Sequence, residues 1–201
     1  MTAGVILAGG RNRRMGGQPK GLLELQGEAI IARQIRLMRT LCAEMIVVTN
    51  EPELYRSEVP QNVNLVPDRN PGLGPLAGME AAFACTSSDT IWIVGCDMPF
   101  VSPEAARLMR SKLEEREELD AVIPCLQGKR HPLHGLYRKR VEKAVSPLLE
   151  TQQLRLMGLF ERIRWVELTD EVFVETGIGT RFATNVNTPE EWVELRKNVE
   201  K

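Results

Sequence analysis

The fold of this chain is constrained most strongly by short apolar runs that alternate with helical stretches. The first run, GVILA at 4–8, contains no polar residue and leads directly into two glycines. Such a run is typical of a strand that is buried on both faces and feeds a loop. Further strands are predicted at 45–49, 63–67, 90–96, 120–125, 131–137 and 164–168, and helices at 29–42, 76–86 and 139–150 and after Ser102 and Thr188. This alternation predicts an α/β fold with a mostly parallel central sheet flanked by helices.

The composition is that of an ordinary globular protein. With 201 residues, of which 43% are hydrophobic, the chain can bury one substantial core, so we expect a single domain over residues 1–201. The net charge of −1 argues against nucleic-acid binding, and no apolar run is long enough to predict a membrane span. Four cysteines without a CxxC pair indicate reduced, buried thiols and a cytoplasmic location.

A basic, glycine-rich loop follows the first predicted strand. No carboxylate occurs before Glu24, although the stretch contains four cations, which are Arg11, Arg13, Arg14 and Lys20. The loop matches neither the Walker A pattern nor GxGxxG. Its backbone N–H groups could still face an anion, because close approach is allowed at Gly9, Gly10, Gly16 and Gly17. We interpret it as a triphosphate-binding loop, and a solvated surface loop is the alternative.

Polar residues stand at the ends of three further predicted strands. The second strand ends at Thr49 and Asn50, and Asp68 and Asp97 follow the third and the fourth. The carboxyl ends of parallel strands meet at one edge of a sheet, where α/β folds bind ligands. A buried carboxylate needs a partner or a metal, and Mg²⁺ prefers oxygen ligands. Asp97 is therefore a candidate magnesium ligand, with a turn-capping role as the alternative, and Asp68 has a structural alternative in its turn-rich segment.

A second basic segment, GKRHPLHGLYRKR, covers residues 128–140. Its cations are Lys129, Arg130, Arg138, Lys139 and Arg140. Two separated basic segments suit two anionic substrates, and a solvated hairpin and helix start is the alternative. His131 and His134 lie three residues apart on a predicted strand, so they are expected to face opposite sides rather than share a metal.

Five motifs, in chain order, resemble those of the molybdenum cofactor guanylyltransferases. LAGGRNRRMGGQPKGLLEL at 7–25 is similar to the loop of that family, L-A-G-G-x-x-x-R-M-G-G-x-D-K. GPLAGM at 74–79, CDMPF at 96–100, HP at 131–132 and NVNTPEEW at 185–192 also match. The resemblance implies a Rossmann-like nucleotidyltransferase fold, Mg²⁺ as cofactor, and transfer of GMP from GTP to molybdopterin with release of pyrophosphate.

The resemblance also implies roles for individual residues. The nucleotide would be bound by Leu7, Ala8, Gly9, Gly10, Lys20, Asn50, Asp68 and Asp97. Thr49 is the alternative to Asn50, because the register there is uncertain by one residue. Arg14, Lys20 and Asp97 would be catalytic, with Mg²⁺ on Asp97. Asn185 and Asn187 match asparagines at the edge of the active site.

One position departs from the family pattern. Pro19 stands where the family has an aspartate before the lysine, and proline fixes φ and lacks an N–H donor. A re-aimed loop or slower catalysis is expected if that aspartate orients the lysine. The open alternatives are a cytidylyltransferase acting on the same pterin, a sugar-phosphate nucleotidyltransferase, and a non-catalytic nucleotide-binding module. A molybdoenzyme or a cofactor-delivery protein would be the protein partner.

Overall fold

The computed structural model describes residues 1–10, 17–68 and 70–199. The strands are β1 (Thr2–Leu7), β2 (Glu24–Leu25), β3 (Glu28–Ala29), β4 (Glu44–Val48), β5 (Asn64–Val66), β6 (Thr90–Gly95), β7 (Ala121–Leu126), β8 (Lys129–Arg130), β9 (His134–Arg138) and β10 (Trp165–Thr169). The α-helices are α1 (Ile30–Met38), α2 (Pro52–Tyr55), α3 (Pro75–Ala84), α4 (Pro103–Glu114), α5 (Glu142–Glu150), α6 (Asp170–Glu175) and α7 (Pro189–Val199). The sequence therefore folds into alternating strands and helices, as its apolar pattern predicts.

Parallel pairing dominates the main sheet, whose order is β10-β7-β9-β6-β1-β4-β5, with β8 beside β7. Strand β1 is parallel to both β4 and β6, β4 to β5, and β7 to β10. Strand β9 is antiparallel to both of its neighbours, β6 and β7. Because β9 reverses the direction between them, β7 and β10 run the same way as β6. The carboxyl ends of β1, β4, β5, β6, β7 and β10 consequently lie at one edge of the sheet.

The central strands are buried because each face of the sheet is covered by helices. Successive side chains of a strand point to opposite faces, so Ile6 and Trp92 pack in the layer that contains residues of α1 and α4. Val5 and Ile93 pack in the opposite layer, with residues of α3 and α5. This arrangement confirms the predicted mostly parallel sheet flanked by helices and fixes the strand ends that carry the site.

The helices predicted after Ser102 and Thr188 both begin at a side-chain cap. The Ser102 hydroxyl accepts a hydrogen bond from the Ala105 amide at 3.1 Å, ahead of α4. The Thr188 hydroxyl accepts one from the Glu191 amide at 3.2 Å, ahead of α7. A side-chain oxygen at this position satisfies an N–H group that has no partner within the helix.

Two sequence-based expectations are wrong in detail. The strand predicted at 131–137 begins only at His134, because a turn closed by the His134 amide on the His131 carbonyl (3.0 Å) precedes it. The two histidines therefore do not share a strand. All four cysteines are free, but Cys85 is exposed and Cys96 is only half-buried. Within the described ranges, no helix has the length and apolar character needed to cross a membrane.

Candidate active site

A cavity of about 570 Å³ opens at the carboxyl edge of the sheet. It is lined by the loops after β1, β4 and β5 and by the segment before α3, through Ala8, Gly9, Gly10, Gly17, Asn50, Glu51, Asp68, Pro71, Gly72 and Gly74. Most of the residues predicted to bind the nucleotide thus share one cavity. Leu7 is not among the lining residues, because it ends β1 and its carbonyl accepts a hydrogen bond from the Cys96 amide at 3.1 Å.

Asn50 and Asp68 are joined across neighbouring strand ends. The Asn50 Oδ1 atom accepts a hydrogen bond from the Asp68 amide at 3.1 Å, and Asp68 Oδ1 accepts one from the Asn70 amide at 2.9 Å. Thr49 is only 1% exposed and its hydroxyl accepts a hydrogen bond from the Glu51 amide. The sequence left open whether Thr49 or Asn50 contacts the nucleotide. Asn50 is the one that lines the cavity.

The rim of this cavity is tethered to the helices behind it. The Asn70 side-chain amide donates to Glu80 Oε2 at 3.2 Å, and the Ser146 hydroxyl donates to Glu80 Oε1 at 2.9 Å. Glu80 lies on α3 and Ser146 on α5. One carboxylate therefore connects the loop that carries Asp68 to two helices of the scaffold.

Lys20 and Asp97 form an ion pair beside this cavity. Lys20 Nζ lies 3.6 Å from Asp97 Oδ2 and donates a hydrogen bond to Asn187 Oδ1 at 3.1 Å. The Lys20 and Asp97 side chains are 16% and 22% exposed. The Asp97 carbonyl accepts a hydrogen bond from the Val186 amide at 2.9 Å, which holds the segment before α7 against the end of β6. Three distant parts of the chain therefore meet at one charged centre.

The Asp97 carboxylate sits in a partly desolvated position. Burial raises the pKa of Asp97, and the neighbouring Lys20 ammonium opposes that rise. The carboxylate also lies close over the backbone, because a Cβ atom at Gly95 would stand 2.6 Å from Asp97 Oδ1. An added cation would stabilise the ionised form of a carboxylate in this position.

Gln34 supports the loop that carries Asp97 and was not anticipated from the sequence. Its side chain is fully buried, and its amide donates to the carbonyls of Gly95 and Met98, each at 2.8 Å. These two bonds bracket Asp97 on both sides in the chain. A glutamine on the otherwise apolar face of α1 is the signal that would have revealed it, because buried polar side chains are nearly always hydrogen-bonded.

Pro19 does not turn the lysine away from the site. It precedes the 3₁₀ helix Lys20–Leu22 with φ −63° and ψ 123°, and its carbonyl accepts a hydrogen bond from the Leu22 amide at 3.0 Å. The proline thus begins the turn from which Lys20 reaches Asp97. Arg14, the other cation expected to be catalytic, lies outside the described residues.

Asp97 offers a carboxylate at the carboxyl edge of the sheet, and carboxylate oxygens are ligands that Mg²⁺ prefers. Among the residues that the structure describes, no group of three or more His, Cys, Asp or Glu side chains could hold a metal. A metal on Asp97 would therefore take at most two such ligands from the described residues, and the rest of its ligands would be substrate oxygens and water. Mg²⁺ is commonly bound in this way beside phosphates, because it prefers oxygen ligands and keeps several waters.

The second basic segment divides between the two edges of the sheet. Arg138 pairs in register with Thr90 at the start of β6, so it lies at the edge opposite to Asp97. Arg138 and the two cations after it have structural partners, which are the Leu113 and Leu119 carbonyls for Arg138, the Phe83 carbonyl and Glu142 for Lys139, and Asp120 for Arg140. The start of the segment lies at the carboxyl edge, because Lys129 pairs with Leu126 at the end of β7.

His134 is a core residue. It is fully buried, with its ring centroid 5.5 Å from that of Trp92 and 4.7 Å from that of Phe182. Burial lowers the pKa of His134 to about 3, so the imidazole is neutral at physiological pH. His131 is 8% exposed and precedes the strand. A catalytic acid–base role for His134 is therefore not supported.

Known proteins similar to this chain point to one family. Residues 4–164 match the family model described as the MobA-like NTP transferase domain. A probable molybdenum cofactor guanylyltransferase from Pelotomaculum thermopropionicum is 34% identical over 97% of this chain and 92% of its own length. One from Geobacillus sp. strain WCH70 is 31% identical over 96% of this chain and 97% of its own. The crystal structure of molybdopterin-guanine dinucleotide biosynthesis protein A from Archaeoglobus fulgidus, 22% identical, has a TM-score of 0.82 over 100% of this chain and 99% of that one.

Proposed function

This chain belongs to the MobA-like NTP transferase family, and from that membership we propose that it transfers GMP from GTP to molybdopterin and releases pyrophosphate. The observation that carries the proposal is the Lys20–Asp97 pair beside a glycine-lined cavity at the carboxyl edge of the sheet. The names of the similar proteins from Pelotomaculum and Geobacillus supply the guanylyl group as the one transferred.

The reaction is a substitution at the α-phosphorus of GTP. An oxygen of the terminal phosphate of molybdopterin attacks that phosphorus and forms a new P–O bond. The bond from the α-phosphorus to the oxygen that bridges it to the β-phosphorus breaks, and pyrophosphate leaves with the electron pair. Such chemistry depends on holding the reacting groups in line and on neutralising phosphate charge.

The described residues suit these two tasks. The backbone from Ala8 to Gly10 would approach the nucleotide, while Asn50 and Asp68 would contact it from the neighbouring strand ends. Lys20, together with Arg14, would neutralise charge on the phosphates. Asp97 would hold Mg²⁺, which when bound supplies further positive charge to the phosphate oxygens.

We further propose that residues 1–201 work as a single nucleotidyltransferase domain. Support comes from the sheet, in which β6 lies between β1 and β9, so that strands from early, middle and later parts of the chain are interleaved. A molybdoenzyme or a cofactor-delivery protein would receive the product. The cytoplasmic location expected from the cysteines stays a prediction.

The test is a transfer assay with GTP that carries a radioactive α-phosphate. We expect the label to appear in a molybdopterin dinucleotide, with one pyrophosphate released for each label transferred and none released without molybdopterin. Binding of GTP without pyrophosphate release would identify a non-catalytic nucleotide-binding module. Transfer to a sugar phosphate but not to molybdopterin would assign the chain to a different acceptor.

A further inference from the structure

Lys129 and the cavity lined by Ala8, Asn50 and Asp68, here called the nucleotide cavity, lie on opposite sides of Asp97. Lys129 begins β8 and pairs with Leu126, the last residue of β7. Since β7 and β6 run in the same direction, the turn between β7 and β8 lies at the edge where Asp97 follows β6. The Gly95 amide donates to the Leu133 carbonyl at 3.0 Å, which joins the segment after β8 to the residue that ends β6.

Unlike its neighbour Arg130, Lys129 has no hydrogen-bond or ion-pair partner among the described residues. Arg130 Nε donates to Glu167 Oε2 at 2.8 Å, and its guanidinium lies 5.1 Å from the centre of the Trp165 ring. The Lys129 side chain is exposed and makes no hydrogen bond or ion pair with any residue in the described part of the chain. Its ammonium is therefore available to an anion from solution.

The positive charge of Lys129 interacts with Asp97 and His131. Like that of Lys20, its positive charge acts on the Asp97 carboxylate. It also lowers the pKa of His131, an effect second to that of burial. Both effects require the ammonium to lie within electrostatic reach of the groups at the carboxyl edge.

The order of the strands separates two binding regions. The nucleotide cavity is built at the ends of β1, β4 and β5, on one side of β6. Lys129 follows β7, on the other side of β6 beyond β9. In an in-line substitution the attacking oxygen and the leaving pyrophosphate lie on opposite sides of the phosphorus. An acceptor that reacts at a nucleotide held beside Asp97 would thus approach from the Lys129 side.

We propose that Lys129 binds the attacking phosphomonoester of the acceptor, across Asp97 from the nucleotide cavity. The assignment rests on the proposed function, because it takes the acceptor to be molybdopterin, whose terminal phosphate is such a group. Lys20 then binds the nucleotide phosphates, and Lys129 binds the acceptor phosphate.

The test compares Lys129→Ala with the matched variant Arg130→Ala, which removes the same charge from the adjacent position of the same strand. For Lys129→Ala we expect the KM for molybdopterin to rise about tenfold or more, the effect of losing a charge-assisted hydrogen bond, with the KM for GTP unchanged. Arg130→Ala should change neither value. Lys129→Arg should restore most of the loss, because it keeps the charge at that position.

Four outcomes would overturn the assignment. An unchanged KM for molybdopterin in Lys129→Ala, or an equal rise in Arg130→Ala, would show that this lysine does not bind the acceptor. A shift in the Mg²⁺ concentration for half-maximal rate, with the KM for molybdopterin unchanged, would show that Lys129 acts only through Asp97. Absence of transfer to molybdopterin by the unmodified protein would instead refute the proposed function, and this assignment with it.

Discussion

The Lys20 ammonium lies 3.6 Å from the Asp97 carboxylate at the end of β6, and the Asn187 side chain accepts a hydrogen bond from the same ammonium. Burial raises the pKa of Asp97 despite this cation. The folded protein therefore carries a carboxylate whose ionised form is less favoured than in the unfolded chain. Such a group lowers stability at neutral pH and improves binding of an additional cation.

Replacing Asp97 with asparagine should stabilise the protein in the absence of ligands. Because the pKa of Asp97 is higher in the folded state, its charge disfavours folding at neutral pH, and this penalty disappears as the pH falls through the folded pKa. We expect Asp97→Asn to melt a few degrees higher at pH 7, since ~1 kcal/mol shifts the melting temperature by about 2–4 °C in a chain of this size. The difference should vanish at acidic pH.

Thermal unfolding from pH 4 to pH 8 measures this effect. Asp89→Asn is the matched control, because the Asp89 side chain is 89% exposed and should melt like the unmodified protein. A lower melting temperature for Asp97→Asn at pH 7 would mean that the ion pair with Lys20 outweighs the burial of the carboxylate.

Removal of Lys20 should impair catalysis far more than folding. Lys20→Ala takes away a cation directed at phosphate charge, and we expect kcat to fall roughly 10²–10³-fold, as when one oxyanion donor is deleted. The melting temperature should also fall slightly at neutral pH, because Asp97 loses its partner, and adding Asp97→Asn should recover it. Lys112→Ala, at a lysine of α4 that is 42% exposed and paired with Glu115, is the control. Near-normal turnover in Lys20→Ala would remove this lysine from the mechanism.

A methyl group at Gly95 should displace the Asp97 carboxylate. The added Cβ would stand 2.6 Å from Asp97 Oδ1, so the side chain must move while the backbone of β6 stays in place. We expect Gly95→Ala to fold and to lose about 10- to 100-fold in kcat, because displacements near 1 Å have effects of that size. At Gly179 a Cβ meets no atom within 4 Å, which makes Gly179→Ala the control. Unchanged kcat in Gly95→Ala would show that the position of Asp97 is not critical.

The nucleotide preference should favour guanine. We expect GTP to bind at least about tenfold more tightly than CTP or ATP, a difference of ~1.4 kcal/mol. The reason is the similarity to guanylyltransferases over nearly the whole chain. Calorimetric titration of the three nucleotides with Mg²⁺ present measures it. Equal or tighter binding of CTP would point to a cytidylyltransferase.

Much of the fold could be predicted because the buried parallel strands are uninterrupted apolar runs that end in glycine or polar residues. The reversed direction of β9 could not be predicted, since an apolar run such as HPLHGLY carries no sign of which way it enters a sheet. The hairpin of β2 and β3 was also missed, because its strands are two residues long and show no period.

Part of the site could be located because α/β folds bind ligands at the carboxyl ends of parallel strands. That rule brought Asn50, Asp68 and Asp97 to one edge, where the structure places them. It could not show that Lys20 would meet Asn187, which is 167 residues away in the chain, or that Gln34 would hold the loop around Asp97. Such contacts depend on how helices pack on the sheet, and no local pattern encodes them.

The most direct test of the account is the Mg²⁺ dependence of pyrophosphate release by Asp97→Asn, measured with GTP and molybdopterin beside the unmodified protein. Asparagine keeps the size of the side chain but removes the charge that a hard cation requires. We predict a folded variant whose turnover collapses and whose half-maximal Mg²⁺ concentration rises steeply. Turnover equal to that of the unmodified protein at the same Mg²⁺ concentrations would contradict both the metal-binding role of Asp97 and the proposed mechanism.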